Sequence, residues 1–482
     1  VSSPRLTVRF TVLAAALSAL GCADQSAVEP ASSSFRLPNL SMAAVQGGPR
    51  RHLVVLRQER GPSAALLAAV QALGGQVERR RDAIGVLSVT GLTDGAAAAL
   101  AARSDVDGAA SDAVMQWIPP ADAYAGMQVR GPVAQTDQSG AFFFGDQWNL
   151  RQINADDAWL ETPQGAGATI AILDSGLDPG HLDLNGKVDV ARSRSMLTPG
   201  SSPCNAILGL PDEQTIFDFN LHGSFVGAIA VANGFAMASV APDATLIGVK
   251  VLNCTGSGSF DDVIAGIEYA AASGVDVINL SLGTLLPKAD PTIRPLVTAL
   301  QRAVLKAVSK GAVVIAASGN QGVNLDDGEF LHVPSQLLGV VSVGATAPVN
   351  QQNFDQIASY SNYGRVGVDL VAPGGDDVGG NPLDLILSVC SRFSVFFNCG
   401  GGAFYLIGSG TSFAAPHVSG TAAVVESATR GNSFGLLLET CLLRGTDRVD
   451  GLFFSPLYGL GRIDVVEAVN AFGCGGRKHP FS

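Results

Sequence analysis

Apolar residues recur along this chain with several different periods, and the changes of period divide it. Phe10 to Leu20 is an unbroken apolar run behind Arg5 and Arg9, ending at Gly21-Cys22. A basic head, a short apolar middle and a small-residue end predict a secretory signal over residues 1–22. The run is too short to stay in a membrane as a spanning helix. Residues 23–48, rich in Ser, Ala, Pro and Gly, predict a flexible linker. Residues 49–118 then read as one compact unit. Leu53–Leu56 predicts a strand, Pro62–Leu73 an amphipathic helix stopped by Gly74-Gly75, and Ile84–Val89 a second strand. Thr93–Ala102 predicts a second helix capped by Thr93 or Asp94, and Val106–Trp117 a last strand. The order resembles β-α-β-β-α-β, which suits a small α+β domain. Residues 119–145 open with Pro119-Pro120 and hold few large apolar residues before Phe142-Phe143-Phe144, so they read as a second linker.

From residue 146 to 474 the pattern changes again. Thr169–Leu173, Leu246–Val251, Val275–Leu280, Ala312–Ala317 and Val340–Val343 are short, apolar and β-branched. Helical runs separate them: Phe225–Asn233, Asp261–Ser273, Pro291–Lys310 and Ser412–Thr429. Such alternation predicts an α/β domain with a mostly parallel sheet and helices on both faces. Ligands of such sheets bind beyond the carboxyl ends of the strands, where Asp174 and Asn320 stand. Residues 475–482 form a tail.

Composition narrows the picture. Hydrophobic residues make up 47% and charged residues 15%, so most of the chain has a core to bury. A formal net charge of −12 argues against a nucleic-acid partner. The charge is uneven: residues 1–145 carry 12 basic and 11 acidic residues, the remainder 18 and 31. A near-neutral, arginine-patched unit beside an acidic one suits two units that dock. None of the seven cysteines forms a C-x-x-C pair, which argues against zinc. Setting Cys22 aside leaves six, enough for three disulfides in an exported protein. Proximity along the chain favours Cys204–Cys254, Cys390–Cys399 and Cys441–Cys474 out of fifteen connectivities.

The chemistry centres on Gly408-Ser409-Gly410-Thr411-Ser412, a glycine-rich loop running into a small-residue helix. A serine there has backbone N–H groups and the positive end of a helix beside it, which suit a developing negative charge. A nucleophilic serine needs a base and a group to orient that base. Of the six histidines, His222 is the best placed, at a polar turn before a helical run. His417 lies five residues from Ser412 on the same predicted helix, the wrong spacing to meet it. Asp174 ends a buried strand at Asp174-Ser175-Gly176 and offers the orienting carboxylate. Gly431-Asn432-Ser433-Phe434-Gly435 fits the lipase pattern G-x-S-x-G, but only His479 follows its serine, so that match is read as chance.

Asp174-Ser175-Gly176, His222-Gly223 and Gly410-Thr411-Ser412-Phe413-Ala414-Ala415-Pro416-His417-Val418 together resemble the three signature segments of the subtilisin-like serine proteases, in the same order. Val249 to Ser259 is similar to the matching stretch of the proteinase K branch. The resemblance covers roughly residues 146 to 470. It implies an Asp174, His222, Ser412 triad, with the Asn320 amide and the Ser412 N–H as oxyanion donors. It also implies a pocket for the residue before the cut, walled by Leu280, Ser281, Leu282, Gly283, Ala317, Ser318 and Gly319. Those walls are small or apolar, and Gln321 follows Asn320 instead of an acid, so an apolar or aromatic guest is expected. The ferredoxin-like unit at 49–118 resembles the family's inhibitory propeptide, with the maturation cut expected within 119–145. Ala19-Leu20-Gly21-Cys22 resembles a bacterial lipoprotein site, which would lipidate Cys22; otherwise ordinary secretion follows. The implied partners are protein or peptide substrates and the chain's own propeptide, with no nucleic acid, no membrane contact beyond an anchor at Cys22, and a monomeric state. The chemistry needs no cofactor. Structural calcium, common in the family, is left without an assigned site: Val343-Gly344-Ala345-Thr346-Ala347 lacks the expected Asp, and the acid pairs Asp376-Asp377 and Asp326-Asp327 are the remaining candidates. The sequence departs from the family at Ser224 and Phe225, where Thr and His are usual, and at Thr284, often Gly. Residues 191–216, 284–296 and 375–405 read as insertions.

Overall fold

The computed structural model describes residues 50–118, 124–128, 138–209, 211–400, 404–429, 435–472 and 474. The predicted signal, Cys22, the first linker, the tail and all of the G-x-S-x-G match except Gly435 lie outside these residues. Two sheets carry the architecture. The first is four-stranded and antiparallel, in the order Gln76–Arg81, Val86–Leu92, Arg50–Leu56, Val106–Ser111. With helices Ala64–Ala72 and Asp94–Ala101 it forms the expected β-α-β-β-α-β unit. Ser63 and Thr93 cap those helices, each accepting a backbone N–H at 3.1–3.2 Å. The hydrophobic pattern missed Gln76–Arg81, because Val77 is its one apolar residue and four charged residues follow it.

The predicted strand Val106–Trp117 is two strands. Val106–Ser111 stays in the small sheet, whereas Val114–Gln116 crosses over and pairs antiparallel with Ser257–Ser259 of the larger body. A strand's local pattern does not say which sheet will accept it. Further on, Tyr124–Gln128 pairs antiparallel with Phe404–Gly408, which pairs in turn with Ile386–Val389.

The larger body is built on a ten-stranded sheet. Its central run is Leu370–Pro373, Val340–Val349, Val313–Ala317, Val277–Leu280, Thr169–Asp174 and Thr245–Lys250, all parallel. These strands are apolar throughout because helices cover both faces. In Thr169–Asp174, Ile170 and Ile172 face one core and Ala171 and Leu173 the other. The helices His222–Ala230 and Thr411–Ala428 cover the first face, and Phe260–Ala272 and Arg294–Ser309 the second. Ser259 and Asp262 form a reciprocal capping box that starts Phe260–Ala272. Residues 138–144, expected in the linker, already belong to this body: Ala141 and Phe143 are core, and Gln138 bonds to Ala232 O and Ser239 N. The six cysteines pair as Cys204–Cys254, Cys390–Cys399 and Cys441–Cys474. The central sheet therefore presents Asp174 at one strand end and Asn320 just beyond another, beside the start of the Ser412 helix.

Candidate active site

Asp174 is the last residue of its strand and is fully buried. Both carboxylate oxygens lie 2.9 Å from His222 Nδ1, and Oδ1 also accepts the Ser175 N–H at 2.7 Å. His222 is the first residue of the helix His222–Ala230. Close approach of that helix to the strand end requires Gly223, where a Cβ would stand 2.1 Å from Gly176 O. Asp218 braces the same corner. It accepts the N–H groups of Asn220, Leu221 and Ser224 and the hydroxyl of Ser175, at 2.8–3.2 Å. Ser175 Oγ accepts the Gly223 N–H at 3.0 Å. These bonds hold Leu221 at φ +123° and so fix where the helix begins.

Ser412 lies in the first turn of Thr411–Ala428. Its Oγ and His222 Nε2 are both buried, and neither has a hydrogen-bond partner among the described residues. The Ser–His bond is thus not formed, although the next residue brings its ring close: the Phe413 and His222 ring centroids are 5.9 Å apart. Phe225, one of the two family departures that follow His222-Gly223, packs tilted against Phe413 with ring centroids 4.3 Å apart. Ser224, the other, accepts the Asp178 N–H at 2.9 Å. His417 is occupied elsewhere: Nε2 meets Asn149 Nδ2 and Nδ1 meets Phe413 O, both at 2.8 Å. Burial lowers its pKa to about 4.

Asn320 Oδ1 accepts the Thr411 N–H at 2.9 Å and the Thr411 hydroxyl at 2.7 Å. That fixes the amide's orientation and turns Nδ2 towards the Ser412 loop. A Cβ built on Gly410 would meet Ser412 Oγ at 3.0 Å and Asn320 Nδ2 at 3.4 Å. Hydroxyl and amide donor therefore face one small space, and Gly410 keeps it open.

A cavity of about 270 Å³ adjoins Ser412 and Asn320. Of the predicted wall residues, Ser281, Leu282, Gly283, Ala317 and Gly319 line it. Leu280 is wholly in the core, and Ser318 is buried with its carbonyl bonded to Asn362 Nδ2, so these two support the walls from behind. Thr284, Gln321 and Thr411 also line the cavity, as does His332, to which the sequence reading gave no role. Nothing local marks His332. It reaches the cavity because Phe330–Val333 pairs antiparallel with Thr284–Pro287, within the predicted insertion 284–296. The remaining lining comes from Leu285 and from Gln116, Trp117 and Ile118 of the N-terminal unit.

The insertion 375–405 forms the strand pair that leads into the Ser412 loop. Cys390–Cys399 closes it, and Arg392 binds Asp178 through three contacts of 2.8–3.2 Å near the Asp174 turn. Neither acid pair proposed for calcium presents a free cluster. Asp376 accepts from Ser359 and Asp377, and Asp326 from the Arg365 and Val366 N–H groups. No group of three or more His, Cys, Asp or Glu side chains suited to a metal occurs among the described residues.

Comparison with known proteins bears on the family and the fold. The profile of the subtilase family matches residues 165–436. The thermophilic serine proteinase of Bacillus sp. (strain AK1) is 32% identical over 331 residues, 68% of each chain. Thermitase of Thermoactinomyces vulgaris is 31% identical, over 68% of this chain and 97% of its own. Among solved structures, the epidermin leader peptide processing serine protease of Staphylococcus aureus has the same fold, with a TM-score of 0.70 at 23% identity, covering 88% of this chain and 99% of that one. Fervidolysin from Fervidobacterium pennivorans, a keratinolytic enzyme, gives a TM-score of 0.64 at 22% identity, covering 88% and 61%. The chain belongs to the subtilase family and is a serine-type endopeptidase.

Proposed function

We propose that the protein is made as an exported zymogen that frees itself and then cuts peptide bonds through Asp174, His222 and Ser412. Ser412 Oγ attacks the scissile carbonyl carbon while His222 Nε2 takes its proton. Asp174 keeps the Nδ1–H tautomer in place and stabilises the imidazolium. The Asn320 amide and the Ser412 N–H donate to the tetrahedral oxygen. His222 then protonates the leaving amine, and water, activated by the same nitrogen, clears the acyl-enzyme. The observation that carries this reading is the bidentate approach of the Asp174 carboxylate to His222 Nδ1, with His222 Nε2 left free for a proton. Swinging the Ser412 hydroxyl onto that nitrogen breaks no existing bond, since both atoms lack partners among the described residues.

The zymogen reading is supported by what lies over the cleft. Trp117 donates its N–H to Gly256 O at 3.1 Å and accepts the Gly283 N–H at 2.9 Å, as an extended substrate would. Its indole packs on Phe260 and donates to Gly258 O at 2.9 Å. Residues 50–118 therefore act as the inhibitor, and the maturation cut falls between residues 119 and 145. Three disulfides favour an oxidising compartment, in keeping with export. N-terminal sequencing of the mature protein tests the scheme. The wild type should start within or just after 119–145, and Ser412→Ala should keep residues 50–118 attached. A Ser412→Ala protein that matures normally would overturn self-processing.

A further inference from the structure

We propose that His332 makes this site selective for a glutamine immediately before the cut, its Nε2–H donating to the glutamine side-chain carbonyl oxygen. This rests on the serine-protease reading above. His332 is 1% exposed and lines the cavity beside Ser412. Its ring is wedged between the two walls: a Cβ on Gly283 would meet Cε1 at 2.3 Å, and one on Gly319 would meet Nε2 at 2.6 Å. Only glycine at both positions leaves room for the imidazole.

The tautomer follows from the partners. His332 Nδ1 lies 2.7 Å from Ser335 Oγ, and His332 Nε2 has no partner among the described residues. If the hydroxyl donates to Nδ1, a single donor, Nε2–H, is left unmet. If Nδ1–H donates instead, the serine proton and the Nε2 lone pair both go without. The first arrangement wastes less, so Nε2 carries the proton and seeks an acceptor. An apolar guest would bury that donor unpaired; a side-chain carbonyl would satisfy it. Gln321 is a second polar residue of the lining, and its Oε1 accepts from Asn362 Nδ2 at 2.8 Å.

No lysine, arginine, aspartate or glutamate lines the cavity. Burial holds the His332 pKa down to about 3, so the ring is neutral at ordinary pH. A glutamate carboxylate would enter without a counter-charge and lose its hydration, whereas a neutral carboxamide carries no such penalty. The sequence-based expectation of an apolar guest considered the walls and left out this ring.

The test uses the active protein made from the full chain and internally quenched peptides that differ only in Gln, Glu, Leu or Phe before the cut, with cut positions read by mass spectrometry. The glutamine peptide should exceed the others in kcat/KM by about tenfold. His332→Ala should remove that advantage, so that the ratio of kcat/KM for Gln over Leu or Phe falls by about tenfold. Ser335→Ala, which unpins the tautomer, should lower only the glutamine peptide. Fluorophosphonate labelling of Ser412 shows that each variant keeps a competent site. Labelled wild type that cuts Leu, Phe or Glu peptides as well as Gln overturns the inference alone. Wild type that neither labels nor cuts any peptide overturns the protease reading and the inference with it.

Discussion

The N-terminal unit and the body close their cores in opposite ways. In the body, helices cover both faces of the sheet, so every central strand is sealed by its own domain. The N-terminal sheet seals only one face, with Leu66, Val70 and Leu100 of its two helices packed on Val54, Leu87 and Val89. Its other face, with Leu53, Val55 and Val86, shares a core with Val263, Ile267, Leu296 and Leu300 of the body. Alone, the unit would expose that face. Around the shared patch the contacts are ionic: Arg81 reaches Asp261 and Glu268 at 2.7 Å, Arg79 reaches Asp261 at 2.8 Å, and Arg51 reaches Asp261 at 3.2 Å. One unit thus completes its own core, whereas the other shares half of its core with the body and is held there by charges as well.

The sharpest break in this comparison is chemical. Ser412→Ala should lower kcat by about 10⁶, the scale of losing the nucleophile in subtilisin, and leave the two units joined; peptide hydrolysis and gel electrophoresis read both. Asn320→Ala should cost about 10²–10³ in kcat with KM little changed, because the amide donates only to the transition-state oxygen. At the joint, Arg81→Ala leaves Asp261 and Glu268 short of a cation and should weaken the hold of residues 50–118 by about 2–5 kcal/mol. The inhibition constant of the cleaved unit measures that loss, and activity should appear sooner during maturation.

The smallest expected effect is a pH dependence of the same joint. Burial first, then Asp261 and Asp262, pushes the Asp112 carboxyl up to about 7, against the pull of Arg51. Freed, it would titrate near the ordinary value of about 4. The docked form therefore binds an extra proton, and its hold should weaken as pH rises from about 4 to 7, then level off. Asp261 works the other way: burial raises its pKa, but Arg81 and Arg79 outweigh that and lower it, so its contribution fades only in stronger acid. Glu268 and Asp262 are raised by burial and follow Asp112. Asp112→Asn should reduce the slope of the inhibition constant between about pH 4 and 7; an unchanged slope would remove Asp112 as one of its sources.

The chain's own periods carried far. The apolar runs at 169, 246, 275, 312 and 340 became parallel strands, within two residues of their expected ends except the last, which runs on to Val349, because strands buried on both faces must be apolar whatever surrounds them. Asp174-Ser175-Gly176, His222-Gly223 and the Ser412 loop were legible because tight turns need their glycines in sequence. The three disulfide pairings followed from proximity along the chain. Polar strands such as Gln76–Arg81 were not legible, since burial of one edge leaves no hydrophobic signature.

What the residues settled by themselves was most of the buried elements, the α/β class and which side chains are chemically able to act. Folding alone decided which strand of the N-terminal unit would lie in the body's cleft, that Arg51, Arg79 and Arg81 would converge on Asp261, and that His332 would stand beside Ser412. Each of those meetings joins residues far apart in the chain. Local pattern encodes how a segment buries its own side chains, whereas partner choice depends on surfaces that exist only after both segments have folded.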